Sequence, residues 1–234
     1  MKRILLTGKN GQVGWELQRT LTPLGQVIAL DSGELDLADA DAIRRKVREI
    51  RPHIIVNPAA YTAVDKAESE PELAMAINGV APGVLAEEAK RLDSFLIHYS
   101  TDYVFDGTKK GAYMEDDAPN PLGVYGKSKL AGELAIRAAG CNHLILRTSW
   151  VYGARGKNFL LTMLRLAKER SELRIVDDQI GAPTWCRSLA EINAQILAQL
   201  HAPDATQEDM ARVSGTYHLT SADSVSWYGF AAEI

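Results

Sequence analysis

Tyr125 and Lys129 stand four residues apart in the stretch Val124-Tyr125-Gly126-Lys127-Ser128-Lys129, the separation that puts two side chains on one face of a helix. A phenol beside an ammonium is a proton donor with its own tuner. A free tyrosine titrates near about 10, and a cation within a few ångströms lowers that by roughly one to three units, towards working pH. The same pair on an ordinary surface helix does nothing, and the spacing arises often by chance. A reaction partner has to come from elsewhere in the chain.

Gly8, Gly11 and Gly14 offer one. They follow a short apolar run, Lys2 to Thr7, and precede Val13, Leu17, Leu21 and Leu24, which recur at helical spacing until Gly25. Strand, glycine turn and helix in this order let backbone approach a pyrophosphate, with the helix N-terminus offering N–H groups to it. The spacing is GxxGxxG rather than the more familiar GxGxxG, and a turn without a ligand is the competing reading. Asp31 ends the next strand, Val27 to Leu30, 23 residues after Gly8, where an acid would hold the adenosine ribose of a dinucleotide. No arginine follows it at once, which leans towards NADH over NADPH; a solvated loop acid is the alternative. Asp36 and Leu37 resemble an acid-apolar pair flanking an adenine ring, and Asp39 or Asp41 would cap a helix carrying Ile43, Val47 and Ile50.

The elements that position these residues repeat. Ile54 to Val56 is apolar on both faces, as in the middle of a parallel sheet, and ends in Asn57-Pro58-Ala59-Ala60-Tyr61-Thr62, small residues that would let a cofactor backbone come close. A helical region from about Leu73 to Arg91 contains Gly79 and Gly83, which weaken its regularity. Phe95 to Tyr99 is the fourth strand and ends in Ser100-Thr101-Asp102-Tyr103. Four strand-helix repeats predict an α/β fold, a doubly wound parallel sheet of Rossmann type with one functional edge. A long loop, Phe105 to Gly123, leads into Tyr125. The spacing predicts a helix over Ser128 to Ala138 and a strand over His143 to Thr148. Beyond Gly153 we expect a helix around Phe159 to Leu166, a short strand over Leu173 to Val176, a polar loop over Asp177 to Thr184, a helix from about Ser188 to Leu200, a polar linker over His201 to Arg212 and a strand over Thr216 to Leu219. Ser224 or Ser226 would cap a final helix. The domains expected are a dinucleotide-binding domain over 1–153, the start of a substrate-binding lobe over 154–200, a return strand of the main sheet over 213–222, and over 223–234 a C-terminal element that stops early, as in a shortened chain.

Composition narrows the partners. The 234 residues are 46% hydrophobic and 24% charged, with a net charge of −4 and acids and bases interspersed. No basic stripe recommends nucleic acid and no polybasic cluster a membrane. The N-terminal apolar run is too short for a signal peptide and ends in a glycine turn, so a cytoplasmic protein is expected. Cys141 and Cys186 read as reduced structural thiols. The five histidines lack HxxxH or HExxH spacing, so the expected metal complement is none.

The glycine turn, Ser100-Thr101 at a strand end and Tyr125-x-x-x-Lys129 together resemble the extended short-chain dehydrogenase/reductases. Thr62-Ala63-Val64-Asp65-Lys66-Ala67-Glu68 and Arg147-Thr148-Ser149-Trp150-Val151-Tyr152 extend the likeness over essentially the whole chain. The resemblance implies NADPH or NADH held by Gly8, Asn10, Gly11, Gln12, Val13, Gly14, Asp31, Asp36, Leu37, Ala59, Ala60 and Tyr61, with Tyr125 and Lys129. It implies reduction of a C4 ketone on a dTDP-sugar substrate. Tyr125 would give a proton to the carbonyl oxygen, Thr101 would hydrogen-bond that oxygen, and Lys129 would hold the nicotinamide ribose and depress the Tyr125 pKa. Thr62, Val64, Asp102, Tyr103, Trp150 and Asn158 match substrate positions, although a tryptophan after a strand is as often core.

Three features depart from the resemblance. Pro58 stands where a small residue is usual. The family is associated with a magnesium-assisted homodimer; Glu16 matches one of its acids, but Trp185-Cys186-Arg187 lacks the acid expected nearby, which counts against magnesium. The C-terminal lobe is short. Competing functions are a nucleotide-sugar epimerase or dehydratase, against which Tyr103 stands where a dehydratase carries glutamate, and a non-catalytic dinucleotide-binding regulatory subunit.

Overall fold

The alternation of Ile4, Leu5 and Leu6 on β1 (Arg3–Thr7) sends side chains to both sides of a sheet, and both sides are covered. The computed structural model describes residues 1–202 and 206–234. After β1 come α1 (Gln12–Leu21), β2 (Gln26–Leu30), α2 (Ala40–Ile50) and β3 (Ile54–Asn57). Two short helices, α3 (Val64–Ala67) and α4 (Pro71–Met75), lead through a π-helical turn, Ala76–Val80, into α5 (Ala81–Leu92). Then follow β4 (Phe95–Thr101), α6 (Val124–Ala139) and β5 (His143–Thr148). The sheet these strands build is parallel in every pairing, with β2-β1-β3-β4-β5 extended at its edge by β9 (Gly215–His218). The chain reverses direction of growth between β1 and β3, the switch point where doubly wound sheets open a crevice at their carboxyl edge.

One core, with Ile4, Leu6, Val56 and Ile97, lies under α1 and α8 (Cys186–Leu200). The other, with Leu5, Ile55, Leu96 and Ile145, lies under α2, α5 and α6. Asp39 caps α2, accepting from the backbone of Asp41 and Ala42, and Ser226 caps the last helix, α10 (Trp227–Ala232), accepting from Gly229. Both caps satisfy amides that would otherwise lack partners at a helix start.

Beyond β5 the elements shrink. Two-residue strands β6 (Val151–Tyr152), β7 (Ile180–Gly181), β8 (Thr184–Trp185) and β10 (Val225–Ser226) form two small ladders beside α7 (Phe159–Glu169). Among the described residues no helix is long and apolar enough to cross a membrane.

Three local expectations change. Leu173 to Val176 is not a strand, because a strand needs a ladder and this segment meets only the Tyr228 amide, 3.0 Å from the Val176 carbonyl. The linker placed over His201 to Arg212 contains α9 (Gln207–Arg212), started by a reciprocal capping box of Thr206 and Asp209; its residues 203–205 lie outside the described residues. Finally, α6 begins at Val124 rather than Ser128, so Tyr125 sits inside the first turn. Gly123 and Gly126 argue against a helix by propensity, but a Cβ at Gly126 would collide with the Tyr103 carbonyl oxygen, so the close approach of α6 to that loop requires glycine.

Candidate active site

The cleft lies at the carboxyl edge of the sheet. Gly8 has φ +62°, a conformation that favours glycine, and a Cβ there would stand 2.9 Å from that of Ala59. A side chain on Gly14 would run into the Gly8 carbonyl oxygen. The first turn of α1 is thereby drawn against the end of β1, and its amides face an opening of about 580 Å³. That is the size of a small-molecule site. Gly8, Asn10, Gly11, Gln12, Val13, Gly14, Asp31, Asp36, Leu37, Ala59 and Ala60 line it, and Thr62, Tyr125 and Lys129 reach it from the other end. Residues this far apart in sequence converge because each strand of a parallel sheet ends at the same edge.

At the outer end Asp31 accepts from Asn10 Nδ2 at 3.0 Å and from the Gly33 amide at 3.0 Å, and Lys9 Nζ lies 3.5 Å away. Lys9 also pairs with Glu34. The Asp31 carboxyl is held below its usual range: its backbone and side-chain hydrogen bonds and Lys9 outweigh desolvation, itself the largest single influence.

The inner end holds the hydroxyls. Thr101 is 5% exposed and Tyr125 partly buried. Burial pushes the Tyr125 phenol up to about 12; the Thr101 hydroxyl beside it opposes the rise, and Asp102 and Tyr103 add to it. The Lys129 ammonium, expected to tune it, is anchored elsewhere. Its Nζ donates to the Tyr99 carbonyl at 2.7 Å and lies 3.2 Å from His98 Nε2, and burial lowers its pKa to about 8 while Glu133 pulls it up. The i,i+4 spacing puts the two side chains on one face, but the buried carbonyl and imidazole beneath α6 decide where the ammonium points. Near pH 7 this arrangement holds a protonated phenol and a separately anchored ammonium in one cleft.

Around them, Asp102 accepts from Thr101 Oγ1 at 3.0 Å and from Ser149 Oγ at 2.8 Å, and burial raises its pKa. Tyr103 is 46% exposed and meets Tyr125 edge-on, ring centroids 5.5 Å apart. The π-helical turn aims Asn78 at the backbone of Tyr61 and at Ser128 Oγ, tying the loop after β3 to α6; such turns often sit at functional sites.

Some expected residues stand apart from the cleft lining. Tyr61 gives its hydroxyl to Glu70 at 2.6 Å, and Val64 begins α3. Trp150, at φ +44°, stacks on Trp227 with centroids 3.5 Å apart. The Asn158 side chain caps α7 through the Leu161 amide and donates to Gln12 Oε1 at 2.8 Å, fastening α7 to the glycine turn. Glu16, the acid linked by resemblance to magnesium, is paired with Arg19 and Arg187, both at 3.3 Å, so it offers no cation cradle here.

Gly156 and Lys157 line the cleft and were not foreseen. Their signal was faint: a glycine-bounded run of basic residues, Gly153-Ala154-Arg155-Gly156-Lys157, that could face phosphates. Thr7, Tyr99, Ser100 and Thr148 also line it, all at strand ends.

The whole chain, residues 1–234, matches the family model described as RmlD substrate binding domain. A dTDP-4-dehydrorhamnose reductase from Burkholderia thailandensis is 54% identical over 232 residues, covering 99% of this chain and 77% of the relative. One from Escherichia coli K12 is 50% identical over 234 residues, covering 98% of this chain and 76% of the relative. Among solved structures, dTDP-4-dehydrorhamnose reductase from Bacillus anthracis in complex with NADP superimposes with a TM-score of 0.90 at 39% identity, over 99% of this chain and 79% of that one.

Proposed function

This chain belongs to the RmlD substrate binding domain family, and from that premise we propose that it reduces the C4 ketone of dTDP-6-deoxy-L-lyxo-4-hexulose (dTDP-4-dehydrorhamnose) to dTDP-L-rhamnose. The observation that carries the reading is the meeting of Tyr125 and Lys129 with the Gly8–Gly14 turn in one cleft whose glycines leave room for a dinucleotide and no room for side chains, with the Thr101 hydroxyl beside the Tyr125 phenol. NADPH or NADH, when bound, supplies the hydride.

The protein's part is positioning and proton delivery. Tyr125, its phenol pushed up to about 12, stays protonated at working pH and gives its proton to the carbonyl oxygen as charge develops there. Thr101 gives its one hydroxyl hydrogen to Asp102 in the free protein, so it holds that oxygen by turning the hydrogen from the carboxylate to the carbonyl. Lys129 presents its ammonium to the nicotinamide ribose from the cleft floor. The Gly8, Gly11 and Gly14 backbone and the start of α1 face the pyrophosphate, with Asn10, Gln12, Val13 and Lys157 beside it; Asp31 takes the adenosine ribose, Asp36 and Leu37 flank the adenine, and Ala59 and Ala60 form the wall, with Tyr61 turned away to Glu70. Thr62 borders the sugar nucleotide, Asp102 and Tyr103 stand behind Thr101 and Tyr125, Asn158 acts from behind Gln12, and Val64 and Trp150 stay outside the lining.

A cytoplasmic setting fits the two buried, unpaired cysteines, Cys141 and Cys186. A homodimer fits the exposed Trp15 and Trp185, which flank the Glu16–Arg187 pair. The test is a coupled assay on the 4-keto sugar nucleotide with each cofactor. Tyr125→Phe is expected to lower kcat by about 100-fold or more with cofactor affinity unchanged by titration calorimetry. Equal turnover in the variant would remove the proton-donor role, and cofactor binding without turnover in the parent would favour the regulatory subunit.

A further inference from the structure

His98 sits on β4 among Phe95, Leu96, Ile97 and Tyr99, fully buried, where a sheet strand covered on both faces calls for an apolar residue. Both its ring nitrogens have partners. Nε2 lies 3.2 Å from Lys129 Nζ, and Nδ1 lies 3.0 Å from the side-chain amide of Asn57, its register neighbour on β3. Asn57, also fully buried, meets the Thr7 hydroxyl at 2.5 Å at the end of β1. A row of hydrogen bonds thus crosses three adjacent strands beneath the cleft, and only its ends, Thr7 and Lys129, line the opening. Burying such groups is costly unless every bond is made, and the sheet does not need them to form its ladders.

The row has two directions. In one, Thr7 donates to Asn57 Oδ1 and Asn57 Nδ2 donates to His98 Nδ1; His98 then carries its hydrogen on Nε2 and donates to an uncharged Lys129 amine. Turning the Asn57 amide over reverses each bond. His98 Nε2 then accepts from the Lys129 ammonium, Nδ1 donates to the amide oxygen, the amide nitrogen donates to Thr7, and the Thr7 hydrogen is free to point into the cleft. The imidazole itself stays neutral in both, since burial and the lysine hold its pKa well below the usual value.

We propose that Thr7, Asn57 and His98 are positioning residues that seat Lys129 at the cleft floor and reverse their hydrogen bonds with its charge, so that an ammonium at one end releases a hydroxyl donor at the other. The proposal rests on the reading of Lys129 as a cofactor-positioning group, but the coupling exists in the free protein. The other ionisable groups around Lys129 are Tyr125 and Glu133 on α6; Glu133 is held by Arg147 of β5 and by Ser100. The π-helical turn over Ala76–Val80 contributes none, and Glu88 of α5 is taken by Arg48 of α2.

The experiment is nitrogen NMR of His98 in the full chain without cofactor, across pH 6 to 10, with the Lys129 side chain followed in parallel. We expect the Nδ1–H form at low pH and a change to the Nε2–H form with the same midpoint as Lys129. A single tautomer throughout the lysine titration overturns the proposal. His98→Leu is expected to lower the Lys129 midpoint by about one pH unit or more, because a hydrogen bond to the charged form is lost, and to move the alkaline limb of kcat/KM with it; His98→Gln restores both. A Lys129 midpoint unmoved in folded His98→Leu also overturns it. Neither NMR readout depends on the sugar reaction, so failure of the proposed activity would show separately in the coupled assay.

Discussion

Two ion pairs of almost the same length belong to opposite halves of the molecule. Arg147 and Glu133 meet at 2.7 Å between β5 and α6, 2% and 0% exposed; Arg165 and Glu169 meet at 2.8 Å along α7, 59% and 51% exposed. In the sheet half, Glu133 also receives Ser100 Oγ at 2.6 Å, and Arg147 covers the Phe105 ring. Water cannot replace a lost partner there. In the later lobe it can, and α7 buries none of its residues fully. That lobe is held instead by ring stacking: Trp150 on Trp227, Phe159 against Trp227 and Phe230, Tyr152 against Phe230. The sheet half fixes its groups by backbone ladders and buried polar bonds with few alternatives, whereas the lobe fixes its groups by apolar contacts that tolerate sliding. A rigid floor beneath the cleft and a more adaptable later lobe follow from that difference.

The largest expected effect comes from breaking the buried pair. Glu133→Ala strands a guanidinium in the core and should lose about 3–5 kcal/mol of stability, read by urea unfolding; a loss below about 1 kcal/mol would mean that water reaches Arg147 and that the contrast between the halves is false. Trp227→Ala should act more locally. The stack on Trp150 and Phe159 goes, at about 2 kcal/mol for partly exposed rings, and hydrogen exchange should quicken over residues 150–152 and 225–230 while β1 to β5 stay protected. The KM for the sugar nucleotide should rise about tenfold with cofactor affinity unchanged. Equal loss of protection in the central sheet would join the two halves into one cooperative unit. Smallest is Arg165→Ala, expected to change stability by less than about 0.5 kcal/mol; a larger loss would show that the lobe, too, depends on its charges.

The doubly wound sheet was legible from glycine placement and from apolar runs that need both faces covered. The two caps were legible as pairs of candidates, Asp39 or Asp41 and Ser224 or Ser226, because a helix start makes a local demand that either side chain could meet, and the structure selects Asp39 and Ser226. Gly8, Gly14 and the strand ends at Ala59 and Thr101 point to one edge for the same reason: parallel strands finish together. The Thr206 capping box was equally present in the sequence, but the polar run from His201 hid it. Leu173 to Val176 misled because apolar periodicity says nothing about whether a neighbouring strand exists to pair with.

What sequence alone determined is therefore the order of elements, the edge at which the site lies and the residue types brought there. It also placed Tyr125 and Lys129 on one helical face. Only the tertiary structure decided how they stand towards each other. Lys129 turns to the Tyr99 carbonyl and to His98 because a buried ammonium must find acceptors where β4 provides them, and the Tyr125 phenol, left without that cation, is raised by burial instead of lowered by charge. Spacing along a chain fixes direction within one element, whereas the solvation and partners of a side chain are properties of the elements packed against it.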